Sequence, residues 1–220
     1  MLTISEPSTE DRVKAAAVRL FGAKGFAATG IREIAHEAGI SVASLYHYMS
    51  TKEELLLSLM VDAMNSLLSR ATAALVPTAE PADHLCSLVD IHIEFHCNRA
   101  AMAKVTDAEI RALSGEARQS VIDLRDAYED LWRNTLAAGA ADGSFHVPQP
   151  RLTTFALLEM CTGVSHWYSP QGRYSVEAIA SYYSALSLRI LGYRKTSTIR
   201  RLESRGVPKA GAGVAGMGAV

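Results

Sequence analysis

Apolar residues recur at three- and four-residue intervals along most of the chain, the spacing that gives a helix one buried face. Over 9–24, Val13, Ala16, Ala17, Leu20 and Phe21 form such a stripe, with Ser8 or Thr9 as the cap and Gly25 as the stop. Ile31, Ile34 and Ala35 mark a second, short helix, and Ala38-Gly39-Ile40 breaks it, because a glycine past a helix end readily turns left-handed. Ser41 then caps a third helix, Ala43-Ser44-Leu45-Tyr46-His47-Tyr48. From Lys52 the acidic pair Glu53 and Glu54 opens a long helix over 52–75, striped by Leu55, Leu56, Leu59, Met60, Ala63, Leu67 and Leu68. Pro77 and Pro81 mark a junction. Beyond it the spacing predicts helices over 82–98, 99–112, 115–138, 149–168 and 175–191, with breaks at Ala138-Gly139, Asp142-Gly143 and Ser169-Pro170-Gln171-Gly172. No alternating strand pattern interrupts them. The expectation is an all-α chain of about nine helices.

Two short helices joined by a glycine-containing turn make a helix-turn-helix, whose second helix enters the major groove of DNA. We expect this DNA-binding domain over 1–52, with the helix 52–75 connecting it to the rest. Val42, Ala43, Ser44, Tyr46 and His47 are then the side chains offered to the groove. Ser44 and His47 can hydrogen-bond base edges or phosphates, and Val42 or Ala43 can sit against a thymine methyl. The Tyr46 and Tyr48 hydroxyls reach phosphate, Arg32 adds local positive charge, and Thr29 and Lys52 stand at helix starts where backbone contacts position such a module.

These residues resemble the DNA-binding signature of the TetR family of repressors. The likeness is carried by Thr29, Ile31, Arg32, Ile34-Ala35, Ala38-Gly39, Ser41, Leu45-Tyr46-His47 and Lys52-Glu53-Glu54-Leu55, preceded by Leu20-Phe21 and Lys24-Gly25-Phe26. Val42 stands where that family often has a basic residue, and Met49 where it usually has an aromatic one. The resemblance implies phosphate-backbone contacts from Thr29, Tyr46, His47 and Lys52. It also implies a C-terminal half, 53–192, that binds a small-molecule effector and dimerises through its last two helices. A homodimer would place two recognition helices in successive major grooves of a pseudo-palindromic operator, and effector binding would release it through the long helix that touches both halves.

Three later segments are similar to a subgroup that senses CoA thioesters of lipid or steroid breakdown. They are Asp107-Ala108-Glu109-Ile110-Arg111-Ala112-Leu113, Arg125-Asp126-Ala127-Tyr128-Glu129 with Trp132, and His166-Trp167-Tyr168-Ser169-Pro170-Gln171-Gly172. His166 occupies a position where some of those relatives carry arginine. An acyl effector needs an apolar cavity with a few polar groups to orient it. Phe95, Met102, Leu124, Tyr128, Trp132 and Trp167 are the candidate lining, and Arg99, Arg125 and His166 the candidates for an anionic head group.

Composition narrows the picture in two ways. With 22 Lys and Arg against 23 Asp and Glu, the net charge of −1 provides no general nucleic-acid footprint, so DNA affinity must be local and doubled by a dimer. Three widely spaced cysteines, Cys86, Cys97 and Cys161, make no disulfide framework. The opening MLTISEPSTEDR has neither the basic nor the apolar region of a signal peptide, and no run reaches the roughly 18 apolar residues of a membrane span. A cytoplasmic protein without membrane partner, metal or cofactor is expected. The basic, Gly- and Ala-rich stretch 193–220 reads as a disordered tail.

One alternative rests on His92 and His96, spaced i and i+4, with Cys97 beside them: a metal- or thiol-sensing repressor, or a metal-dependent enzyme. The intervening Ile93-Glu94-Phe95 does not make the His-Glu-x-x-His arrangement of a metalloprotease, and no glycine-rich phosphate loop or nucleophile elbow is present. No catalysis is expected.

Overall fold

A computed structural model of the chain describes residues 7–206. Among them are ten α-helices, two short 3₁₀ turns and no strand. In chain order these helices are α1 (Thr9–Lys24), α2 (Ile31–Glu37), α3 (Val42–Leu45), α4 (Lys52–Ala74), α5 (Pro81–Asn98), α6 (Ala100–Ala108), α7 (Gly115–Ala141), α8 (Pro150–Thr162), α9 (Val176–Ile190) and α10 (Thr196–Arg205). The 3₁₀ turns follow α6 (Glu109–Ala112) and α8 (Gly163–His166). No helix among the described residues is long and apolar enough to cross a membrane.

The helices pack as two compact units, one of residues 7–69 with 99–128, the other of 70–98 with 129–206. In the first, α1 is set by a reciprocal cap: the Ser8 hydroxyl accepts from the Asp11 N–H at 3.1 Å while the Asp11 carboxylate accepts from the Ser8 N–H at 3.1 Å. The Ser8 hydroxyl, donating to the Asp11 carboxylate at 2.7 Å, and then the Ser8 N–H hold the Asp11 carboxyl below its ordinary range. Val13, Ala16, Ala17 and Phe21 on α1 close over Ile34 and Ala35 on α2, Leu45 on α3, and Leu55, Leu56, Leu59 and Met60 on α4. Val105, Leu113 and Val121 complete this core from the later segment.

In the second unit, α5 packs against α8 and α9 through Leu85, Leu88, Val89 and Ile93, and α9 carries α10 on its side. Trp132 and Leu136 of α7 are fully buried here.

Three expectations change. The third helix ends at Leu45, so Tyr46, His47 and Tyr48 form a turn beyond it. Gly139 does not end α7, which runs on to Ala141 and stops where Gly143 takes φ +77°. Part of the stretch read as a disordered tail is helix α10, because Ile199 and Leu202, three residues apart, are buried while Arg200, Arg201 and Arg205 face water. The remainder of that stretch, 207–220, lies outside the described residues, as do residues 1–6 of the expected leader.

Candidate DNA interface and effector residues

The turn between α2 and α3 is built locally. Gly39 takes φ +70°, and the Ile40 N–H donates to the Ala35 carbonyl at 3.0 Å. Ser41 then caps α3, its hydroxyl accepting from the Ser44 N–H at 3.0 Å. Leu45 is fully buried and anchors the short helix to the core, whereas Tyr46 is 51% exposed. Arg32, Ala43, His47 and Tyr48 are exposed as well, and Val42 and Ser44 are half-buried. The structure therefore brings Ala43, Ser44, Tyr46 and His47 to one short exposed stretch.

Two of the expected backbone contacts are engaged inside the protein. Thr29 is only 2% exposed, and its hydroxyl donates to the Gly25 carbonyl at 2.8 Å. The Lys52 ammonium donates to the Phe26 and Thr29 carbonyls, both at 2.8 Å, and lies 4.3 Å from the centre of the Phe26 ring. Both residues thus shape the module from within, Thr29 buried and Lys52 half-buried. Val42 packs partly against the core, which limits it as a thymine contact.

Three other cations of the module, Lys14, Arg19 and Lys24, have carboxylate partners. Lys14 meets Asp62 at 2.8 Å and Glu10 at 2.9 Å, Arg19 meets Glu37 at 2.9 Å, and Lys24 meets Glu33. These pairs are exposed and individually weak. Tyr46→Ala should weaken binding to a specific DNA site about 10- to 150-fold, since one hydrogen bond to a charged group is worth about 1.5–3 kcal/mol. The melting temperature should stay as it is, because the ring is exposed. Anisotropy titration checks it, and wild-type affinity would remove Tyr46 from the contact surface.

The effector candidates divide between the units. In the first, Arg99 is exposed at the start of α6, Met102 and Leu124 are half-buried, and Tyr128 is buried. Arg125 is half-buried and donates to the Thr106 carbonyl. Its withdrawal from water lowers its pKa, partly offset by the nearby Asp107 carboxylate.

In the second unit, Phe95 and Trp132 border a pair of stacked histidines. The His92 and His96 rings lie 4.2 Å apart, Trp132 meets His92 edge-on at 5.8 Å, and Phe95 meets His96 edge-on at 5.3 Å. His92 Nε2 is 3.0 Å from the Thr162 hydroxyl. Burial, and then the neighbouring His96, hold the His92 pKa well below the ordinary histidine value, so it is a neutral core residue at pH 7. His166 and Trp167 are not part of this cluster. Both are exposed after α8, and Trp167 lines an open groove of about 400 Å³ with Tyr174, Ile179, Tyr182, Tyr183 and Gly206. The adjacent tyrosines at 182 and 183, on α9, are the sequence signal that could have found that groove.

Among the described residues no three His, Cys, Asp or Glu side chains gather as a metal site. Burial pushes the Cys97 thiol up to about 11 and the Cys161 thiol to about 12, so neither presents a reactive thiolate near neutrality. These facts weigh against a metal- or thiol-sensing role for His92, His96 and Cys97.

Residues 14–59 match the family model for bacterial regulatory proteins of the tetR family, and 78–191 match that for a tetracyclin repressor-like C-terminal domain. The chain belongs to the TetR family. Over 189 residues it is 30% identical to the HTH-type transcriptional repressor KstR2 of Mycolicibacterium smegmatis, covering 84% of this chain and 92% of that one. A tetR-family regulatory protein from Rhodococcus RHA1 superposes with a TM-score of 0.79 at 32% identity, over 86% of this chain and all of its own. AibR, solved in complex with isovaleryl coenzyme A and operator DNA, shares the fold at a TM-score of 0.74 and 23% identity, over 81% of this chain and 97% of that one. This TetR-family chain is thus a helix-turn-helix transcriptional repressor, and its family is one of regulators, not of enzymes.

Proposed function

We propose that the protein acts as a homodimer, binds a pseudo-palindromic operator through the exposed stretch around Tyr46 and His47, and is released by an apolar or acyl effector, with CoA thioesters as the favoured class. The dimer reading is supported by Leu152 and Phe155 on α8 and by Tyr182 and Ile190 on α9, large apolar side chains left in water by an otherwise well-packed unit. Helices of this kind pair about a two-fold axis into a four-helix bundle, burying those side chains.

The effector reading is carried by Arg125. Its guanidinium is drawn from water and oriented by the Thr106 carbonyl, and it has the planar set of donors suited to a carboxylate or phosphate. AibR, a protein of this fold, binds isovaleryl coenzyme A and operator DNA in its complex, which supports this reading. We place the effector in the half spanning 53–192 and keep Arg99 as a secondary anion contact.

A thermal-shift screen with acyl-CoAs, free fatty acids, steroids and zinc tests this. A thioester at about 100 times its dissociation constant should contribute about 2.7 kcal/mol to the native state. For a chain of this size that raises the melting temperature by roughly 5–10 °C, and Arg125→Met should abolish most of the rise. The same thioester should then release bound operator in an anisotropy titration. Stabilisation by free acids or steroids with no response to any thioester would sink the CoA assignment, and a response to zinc alone would sink the acyl reading.

A further inference from the structure

Within the first unit α6 approaches α1 backbone to backbone. A Cβ on Gly22 would stand 3.2 Å from the Ala101 carbonyl oxygen and 3.3 Å from its Cβ, closer than side chains ordinarily come. Lys104, one helical turn further along α6, donates from Nζ to the Gly22 carbonyl at 2.6 Å. That carbonyl belongs to the last turn of α1, where acceptors lack helical partners and a cation is favoured.

Beyond α6, Glu109 reaches the turn between α1 and α2. Its Oε1 accepts from the Phe26 N–H at 3.1 Å and would lie 3.2 Å from a Cβ on Gly25, whose φ of +87° already selects glycine. Phe26 is a junction. Its carbonyl accepts from Lys52 at 2.8 Å and from the Thr29 N–H at 3.2 Å, and its ring lies beneath the Lys52 ammonium and 5.3 Å from Phe21. One carboxylate on the segment after α6 therefore holds the residue that ties the start of α4 to the approach of α2.

We propose that Glu109 is a positioning residue for operator binding: by fixing the Phe26 amide it sets how α2 and α3 stand on α4. The inference rests on the DNA-binding reading, and makes α6, in addition to α4, the part of the molecule that controls the reading helix. An effector that moved α6 would withdraw this carboxylate and loosen the turn.

The test uses the full chain and DNA fragments recovered by binding-site selection with the wild type. Glu109→Ala should weaken binding to those fragments about tenfold, leave affinity for unrelated duplex unchanged, and speed hydrogen exchange at the Phe26 amide. Glu109→Gln keeps a side-chain oxygen that can accept from Phe26, so it should restore both. Wild-type operator affinity and exchange in Glu109→Ala would overturn the proposal, as would a loss in Glu109→Gln equal to that in Glu109→Ala. A parallel loss on unrelated duplex would also overturn it by showing general damage. Should Glu109→Ala fail to fold, Glu109→Asp, one methylene shorter, should give an intermediate loss, and an unaltered Glu109→Asp would overturn it. If the wild type recovered no fragment, the DNA reading itself would fall and this role with it.

Discussion

Ile190→Asp, or Leu152→Asp, should convert the proposed dimer to monomers and lower operator affinity by about 10²–10⁴-fold, the advantage that linked binding sites confer. Both side chains are exposed, Leu152 at 65% and Ile190 at 54%, so neither substitution disturbs the interior of one subunit. In a two-fold bundle each would instead bury a carboxylate in both copies. An unpaired buried charge costs several kcal/mol per ion. Light scattering after size exclusion reads the mass, anisotropy reads the affinity, and the melting curve at low concentration confirms folding. A dimer persisting in both variants would place the interface elsewhere than α8 and α9.

Gly139→Ala should cost about 2 kcal/mol of stability through overpacking, seen as a melting temperature lower by roughly 5 °C. Alanine normally favours a helix interior over glycine by about 1 kcal/mol, so the expected sign runs against propensity. The reason is Phe145, whose ring atoms would lie 2.1 to 2.6 Å from the new methyl. That ring is buried and meets Tyr193 edge-on at 6.1 Å, while the Phe145 N–H donates to the Gly139 carbonyl at 2.8 Å. Displacing it would open the fold of the chain after α7. With Phe145→Ala in place, Gly139→Ala should cost nothing further, and the double-mutant cycle measures the coupling. An unchanged melting temperature in Gly139→Ala alone would show that the ring moves aside freely.

Gly139 illustrates what the sequence left hidden. A glycine near the end of a periodic stretch reads as a stop, and only the return of Phe145 onto the helix reveals that it clears space. The helix-turn-helix was legible because its determinants are local: Ser41 caps, Gly39 turns, Leu45 buries. The internal bonds of Thr29 and Lys52 were not legible, because their partners, the carbonyls of Gly25 and Phe26, are set by tertiary approach and leave no mark in spacing. The helix Thr196–Arg205 was hidden by composition. Its two buried positions, Ile199 and Leu202, are outnumbered by arginines that suggest a solvated tail. Trp132 and Trp167 both stood as candidate effector lining, yet one is sealed in the second unit and the other lines a surface groove.

That contrast gives the protein an optical signature. Its two tryptophans occupy opposite extremes, Trp132 at 0% exposure and Trp167 at 51%. The sealed indole should emit to the blue and be shielded from iodide, while the exposed one should emit to the red and be quenched. Events at the histidine cluster beside Trp132 and at the tyrosine groove around Trp167 thus register in separate parts of one emission spectrum, without any added label.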